Sequence, residues 1–201
     1  DYVARLPIEI RRLRRELAAG ERETQPLLVR RVPRPSGRVW DLHLESIRDR
    51  HAARAILDAL QPLCEPRFNP RSFGFRPRRG PIRAVLEALS WVRRGYLYAA
   101  SVDIANFFPS VPRERFLDIL WDWLRGDERI LRLSTAHLRA PLLEAGRLRP
   151  PSEVGLLQGT VLAPIFGNIY LDGLDWRLDR AGAVHIRYAD DILLPGRSRQ
   201  E

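Results

Sequence analysis

Two adjacent aspartates, Asp190 and Asp191, lie between the β-prone runs Val184-His185-Ile186-Arg187-Tyr188 and Ile192-Leu193-Leu194. Turn-tolerant residues between two such runs predict a β-hairpin whose tip, Ala189-Asp190-Asp191, carries two negative charges. A third acid, Asp103, stands at the end of another β-prone run, Leu97 to Ile104, with no basic residue within eight positions on either side. Carboxylates gathered at strand ends repel one another unless a divalent cation sits between them, and magnesium is the natural candidate. Phosphoryl transfer to a hydroxyl uses two such ions about 4 Å apart, held by rigid carboxylates. Asp103 and Asp190 meet that need if their strands pair in one sheet. Successive strand residues point to opposite faces, so Asp190 is favoured over Asp191 for direct coordination. Asp190-Asp191 alone reads more readily as a polar hairpin turn; the third acid turns the reading toward chemistry.

The elements that must position these acids are legible from spacing. Leu6, Ile10, Leu13 and Leu17 recur at helical intervals until Gly20, with Arg11, Arg12, Arg14 and Arg15 around the remaining surface. Pro26 to Leu44 reads as a basic hairpin about Pro35-Ser36-Gly37, carrying Arg30, Arg31, Arg34 and Arg38. Ser46 and Asp49 form a capping box that opens a helix through Leu63. An aromatic and arginine loop, Ser72 to Gly80, leads to a helix with Pro81 in its first turn and an apolar face of Ile82, Val85, Leu86, Leu89 and Val92. Beyond the Asp103 strand, helices are predicted near Pro112–Leu124 and Glu128–Ala145. A loop over Leu148–Gly155 and a helix from about Val161 to Arg180 follow. Trp91, Trp121, Trp123 and Trp176 fall on or beside apolar stripes and are assigned to packing. The order implies an α+β fold with an antiparallel sheet.

Composition bounds the rest. A chain of 201 residues that is 45% hydrophobic can bury a sizeable core. Its net charge of +9, carried entirely by arginine among the basic residues, favours a polyanionic partner, nucleic acid first. One cysteine, Cys64, excludes an internal disulfide, and the scattered histidines do not suggest zinc. No apolar run approaches the roughly 20 residues of a membrane span, so a cytoplasmic location is expected and no membrane partner. The chain contains no methionine, so Asp1 is not an initiator and the sequence reads as a fragment.

Three groups of residues occur in a telling order: Asp103-Ile104-Ala105-Asn106-Phe107-Phe108, then Gln158-Gly159-Thr160-Val161-Leu162-Ala163-Pro164 with Asn168, then Tyr188-Ala189-Asp190-Asp191. The set resembles reverse transcriptases. Ser72-Phe73-Gly74-Phe75-Arg76-Pro77 and Pro33-Arg34-Pro35-Ser36-Gly37-Arg38 resemble more narrowly the group II intron lineage, which includes intron-encoded, CRISPR-associated and diversity-generating enzymes. The resemblance runs from about Arg30 to Leu194. It implies a right-hand polymerase with helical and β-hairpin fingers over residues 1–96 and a palm over 97–201, with a helical segment at 112–150 bridging toward the fingers.

The same resemblance implies roles. Asp103, Asp190 and the backbone carbonyl of Ile104 would bind two magnesium ions, for which manganese can substitute, and Asp191 would assist. Phe108 would lie beneath the sugar and disfavour a ribose 2′-hydroxyl. Gln158 and Gly159 would line the nucleotide and template. Arg34 and Arg38 would grip triphosphate, and Arg30, Arg31, Arg76, Arg78 and Arg79 nucleic acid. The partners would be an RNA template, a DNA or RNA primer and deoxynucleoside triphosphates, with fused or neighbouring domains of a CRISPR adaptation or intron system.

Some positions depart from the family pattern. Arg38 is followed by Val39-Trp40-Asp41 rather than a proline-leucine run, and Ala163 stands where serine is frequent. The chain ends at Glu201 about where a primer-gripping segment and thumb would begin, so the thumb is expected to be absent and the isolated chain to extend primers poorly. Two other readings stay open: an RNA-binding module of polymerase shape without turnover, and a nucleotidyltransferase that works without a template.

Overall fold

Capping and apolar spacing set the helices close to where the sequence puts them. The computed structural model describes residues 2–33, 37 and 39–198, with side chains from residue 6 onward. Helix α1 runs Tyr2–Ala19 and ends at Gly20, whose φ of +69° is the left-handed stop that glycine favours. Strands β1 (Leu27–Pro33) and β2 (Val39–Leu44) form the expected hairpin, in register from Leu28 opposite Leu44 to Pro33 opposite Val39. Helix α2 (Ile47–Cys64) opens on Ser46, whose hydroxyl accepts from the Asp49 amide at 3.1 Å and donates to its carboxylate at 2.6 Å. Then come α3 (Pro81–Arg93), β3 (Tyr98–Asp103), the short α4 (Phe107–Ser110), α5 (Arg113–Leu124) and α6 (Glu128–Leu138). The hairpin β4 (Leu142–Glu144) and β5 (Arg147–Arg149) precedes α7 (Ala163–Arg180), β6 (Ile186–Tyr188) and β7 (Asp191–Gly196). The fold is α+β. Among the described residues no helix is long and apolar enough to cross a membrane.

Two compact units divide the chain, each discontinuous in sequence. The first comprises residues 1–63 and 108–163, the second residues 64–107 and 164–201. In the first, the sheet order is β2-β1-β4-β5, with β4 parallel to β1. Leu27, Ala140 and Leu157 are buried together there with Leu142 packed against them. Phe116 and Leu120 of α5 and Leu133 and Leu138 of α6 are buried as well, each stabilising by about 1.5–3 kcal/mol relative to exposure. In the second, the antiparallel sheet is β3-β7-β6, and Phe73, Phe107, Phe166, Ile169, Ile186 and Ile192 are buried.

Three expectations need correction. Helix α6 stops at Leu138, and the stretch read as its continuation and a loop is the β4–β5 hairpin, turning at Ala145 and Gly146, both at positive φ. The α3 stripe Ile82, Val85, Leu86, Leu89 and Val92 is exposed, Ile82 to 75%, while the opposite side through Ala84, Ala88 and Trp91 is half-buried. Small residues let α3 approach β6 and β7 closely, so its larger side chains are left outside. Finally, Trp121 and Trp176 remain 39% and 41% exposed, whereas Trp123 is buried and Trp91 sits edge-on to Tyr96 at 5.0 Å.

Candidate active site

In the second unit the strand pairing brings the acids to one end of one sheet. Strand β3 pairs with β7 so that Asp103 stands directly opposite Asp191. Strand β6 pairs with β7 through Tyr188 and Asp191, so Ala189 and Asp190 form the two-residue turn and Asp191 is the first residue of β7. Directly opposed residues lie about 4.5–5.5 Å apart at Cα, so this end of the sheet gathers like charges. The Asp190 carboxyl is accordingly pushed above its ordinary value, first by burial and then by the charges of Asp191 and Asp103. Ile104 follows Asp103 immediately, and its carbonyl accepts from the Phe107 amide at 3.2 Å, leaving a second lone pair.

The turn that carries Asp190 is held in an unusual backbone conformation. Ala189 has a φ of +58° and Asp190 does not share the positive sign, the pattern of a type II′ turn that ordinarily asks for glycine first. Such strain persists where the surroundings over-determine it. Gly74 is one such constraint: a Cβ there would lie 2.3 Å from the Ala189 nitrogen, and the Gly74 carbonyl accepts from Asn168 Nδ2 at 2.8 Å. The loop around it is tied to β6, Arg187 N donating to Arg71 O at 2.9 Å and Phe73 N to Arg187 O at 2.8 Å. Because the obstructing atoms are backbone, Gly74→Ala is expected to lose about 1–3 kcal/mol in urea unfolding through overpacking. Gly173→Ala, with open space at its Cβ and a helical backbone, is expected to gain about 0.5–1 kcal/mol. Equal effects of the two substitutions would remove Gly74 from this role.

Behind the turn lies a buried ionic network that sequence reasoning missed. Arg187 is 0% exposed and donates to Asp175 through Nε and Nη2, at 2.7–3.0 Å. Its Nη1 donates to Asn168 Oδ1 at 2.9 Å and to the Ala189 carbonyl at 2.8 Å. His185, also fully buried, places its ring nitrogens 3.5 Å from Asp175 and 3.6 Å from Asp179. Burial would push the Asp175 carboxyl up; His185 and Arg187 outweigh it and hold the carboxyl below the ordinary range. A signal was present in the sequence. Asp172, Asp175 and Asp179 recur at helical spacing on α7, and His185 and Arg187 alternate on the strand that follows.

The first unit holds the other motif residues. Gln158 O accepts from His43 N at 2.8 Å and lies 3.1 Å from His43 Nδ1, and Gly159 adopts a φ of +97° against the His43 backbone. Arg113 is buried and donates through Nε to Gly155 O at 2.7 Å, while the Phe108 carbonyl accepts from Leu156 N at 2.7 Å. Phe108 is half-buried. After the turn, Val161 N donates to Glu45 Oε2 at 3.0 Å, and Thr160 donates to Leu157 O while its hydroxyl oxygen lies 3.2 Å from His137 Nε2.

Burial, with Arg22 and Arg113 adding to it, keeps the His137 imidazole neutral and pushes its pKa down to about 3. The unfolded chain takes up this proton below pH 6.5 and the folded chain does not, so the stability from His137 is complete above 6.5 and declines as pH falls toward 3. At 1.36 kcal/mol per unit, about 2 kcal/mol is expected to be gone by pH 5. Denaturant unfolding of wild type and His137→Gln across pH 5–7.5 checks this. Parallel pH profiles of the two proteins would contradict it.

The arginines separate by environment. Arg30 and Arg78 are exposed, and Arg31 is exposed between Asp41 at 3.4 Å and Glu144 at 2.6 Å. Arg79 is half-buried over the Phe73 ring and donates to Pro70 O. Arg76 is buried, its N–H groups shared among Glu65, Asn69 O and Ser72 O, so it braces the loop around Gly74. Arg34 and Arg38 lie outside the described residues.

Comparison with known proteins extends this picture. The family described as reverse transcriptase (RNA-dependent DNA polymerase) matches residues 35–201. Protein YkfC of Escherichia coli strain K12 is 32% identical over 211 positions, covering 98% of this chain and 50% of that protein. An uncharacterized 91 kDa protein in the cob intron of Schizosaccharomyces pombe is 31% identical over 144 positions, covering 72% of this chain and 18% of that one. Among solved structures, a partial Cas6-RT-Cas1–Cas2 complex contains a chain that superposes with a TM-score of 0.54 at 20% identity, over 96% of this chain and 34% of that one. Apo telomerase from Candida tropicalis superposes with a TM-score of 0.61 at 10% identity, over 88% of this chain and 44% of that one. These two likenesses are of fold. The chain spans about half the length of YkfC. With a family match over most of its length and the acid-bearing motifs in place on the sheet, the chain belongs to the reverse transcriptase family.

Proposed function

We propose that this chain carries the catalytic acids of an RNA-directed DNA polymerase that extends a primer 3′-hydroxyl with deoxynucleotides by two-metal phosphoryl transfer. The observation that supports it is the register setting Asp103 across from Asp191, with Asp190 in the adjoining turn. The donor set suits magnesium: carboxylate oxygens are hard ligands, and the pairing that sets Asp103 opposite Asp191 beside the Asp190 turn gathers negative charge that a cation would relieve. Among the described residues no three acidic, histidine or cysteine side chains gather closely enough to hold an ion by themselves. Magnesium commonly takes one or two carboxylates and fills its octahedron with water and substrate phosphate oxygens, so Asp103 and Asp190 with the Ile104 carbonyl are a fitting protein share. Bound magnesium would activate the primer hydroxyl and neutralise charge on the reacting phosphate.

The chain's own residues supply position. The β3–β7 pairing fixes Asp103, and the braced turn fixes Asp190, so little reorganisation is left for the reacting complex. Phe108 would stand beneath the sugar and exclude a 2′-hydroxyl, and the Gln158-Gly159 turn would line the incoming nucleotide. Arg30, Arg31, Arg78 and Arg79 would bind template and primer phosphates by charge, a contact that weakens with salt. Domains of an intron or CRISPR adaptation system would accompany the chain in the whole protein.

An assay of the intact protein with primed RNA template and single nucleotides tests the reading. Incorporation of the complementary deoxynucleotide, dependent on magnesium or manganese, is expected. Incorporation indifferent to template would convert the reading to a terminal transferase, and duplex binding without incorporation to an RNA-binding module.

A further inference from the structure

We infer that Arg187 is a positioning residue for the catalytic turn, locking the peptide plane that precedes Asp190 through its bond to the Ala189 carbonyl. The inference rests on the polymerase reading above and adds a residue to it. The central peptide of a two-residue hairpin turn can sit in either of two orientations, and the sign of φ at the second central residue reports which is taken. Here φ is positive at Ala189 and not at Asp190. The carbonyl of that peptide is Ala189 O, and Arg187 Nη1 holds it at 2.8 Å. A flipped peptide would carry this oxygen away from the guanidinium and swing the Asp190 N–H, which hydrogen-bonds its own carboxylate, to the other side of the turn.

The guanidinium can act as a fixed post because it is itself immobilised. Two of its nitrogens are clamped on Asp175, and Nη1 is shared with Asn168 Oδ1, whose amide end holds Gly74 O against the same turn. One rigid fork therefore links α7, the Gly74 loop and the Ala189–Asp190 peptide, which a lysine ammonium cannot reproduce from a single point. Asp175 balances the Arg187 charge, so the contribution to Asp190 is one of orientation more than of field.

Two variants of the intact protein separate orientation from charge and from folding. Arg187→Lys keeps the charge and loses the fork. Arg187→Met with Asp175→Leu removes both charges, so no buried ion is left unpaired. For each, manganese affinity is read by electron paramagnetic resonance of the free ion, and kcat and KM by single-nucleotide incorporation. Supports to metal ligands typically carry about 10–100-fold in affinity or activity. Both variants are expected to lose about that much in manganese affinity and in kcat, with KM for the nucleotide within about twofold of wild type. Wild-type manganese affinity and kcat in a folded variant of either kind would overturn the inference. Should neither fold, the backbone order parameter of the wild-type Asp190 amide decides: a rigid value near ~0.85 is expected, and one below ~0.6 overturns the locked turn. Asp103→Asn keeps the two ideas apart, since persistent incorporation in that variant would sink the polymerase reading whatever Arg187 does.

Discussion

Asp103→Asn is expected to lower templated incorporation by about three orders of magnitude or more, with the fold intact. The side chain is exposed at the end of β3, so the amide replaces the carboxylate with no void and no unpaired buried group. Surface exchanges of this kind change stability by no more than about 0.5 kcal/mol. What changes is the charge on one of the two carboxylates proposed to hold the ions, and metal stabilisation of a phosphoryl-transfer transition state is worth several kcal/mol. Each 1.36 kcal/mol is about tenfold in rate, which gives the magnitude. The loss should fall on kcat, because the role proposed for the acid is at the reacting atoms; single-turnover kinetics at saturating nucleotide, with thermal unfolding alongside, measure both quantities. A folded Asp103→Asn protein with near wild-type turnover would withdraw Asp103 from the metal site.

Asp175→Asn is expected to cost about 3–5 kcal/mol of stability, because it strands the Arg187 guanidinium, fully buried, without its counter-charge. The isosteric amide preserves packing and removes only the charge, so the effect isolates the ionic term. His185 loses the nearer of its two carboxylates in the same step. Because the Asp175 carboxyl is held below its ordinary value, its contribution is present above the usual carboxylate range and is lost only as pH falls through that lowered value. Equilibrium urea unfolding at neutral pH, compared with the paired Arg187→Met and Asp175→Leu protein, tests this directly. The pair is expected to lie much closer to wild type than the single variant does. If the single variant unfolds at the wild-type midpoint, the network is not what holds this part of the molecule together.

Sequence patterns carried the elements with strong local signals. The α1 and α2 boundaries, the β1–β2 hairpin and the β6–β7 hairpin follow from caps, glycines and β-prone runs, which act within a few residues of where they are read. The β4–β5 hairpin was hidden because Leu142-Leu143-Glu144 is three residues long and looks like helix, and its strand character comes from pairing with β1 more than a hundred positions away. The α3 stripe misled for a related reason: periodicity shows that a helix has two faces, but the packing of Ala84 and Ala88 decides which one is covered.

The candidate site divides the same way. Unpaired acids at strand ends can be seen in the chain, and the strand pairing they required is present as Asp103 opposite Asp191. Arg187 looked like one more polar residue in a strand, because a single position does not reveal that α7 supplies Asp175 and Asn168 to meet it. Arg76 was grouped with the nucleic-acid arginines by family resemblance, and neither resemblance nor charge distinguishes a guanidinium that binds phosphate from one whose N–H groups are taken by Glu65 and backbone carbonyls. The roles proposed for Phe108 and Gln158 came from family resemblance, because an aromatic ring and an amide have no local pattern that marks them.

The central claim is that Asp103 and Asp190 share metal at one end of the β3-β7-β6 sheet. Anomalous diffraction at the manganese edge, from crystals of the intact protein with primer, template and a non-hydrolysable nucleotide, observes that directly. The account predicts ion density bonded to both carboxylates at the sheet end. Ions bound elsewhere, with these two carboxylates bare in an otherwise intact turn, would contradict it.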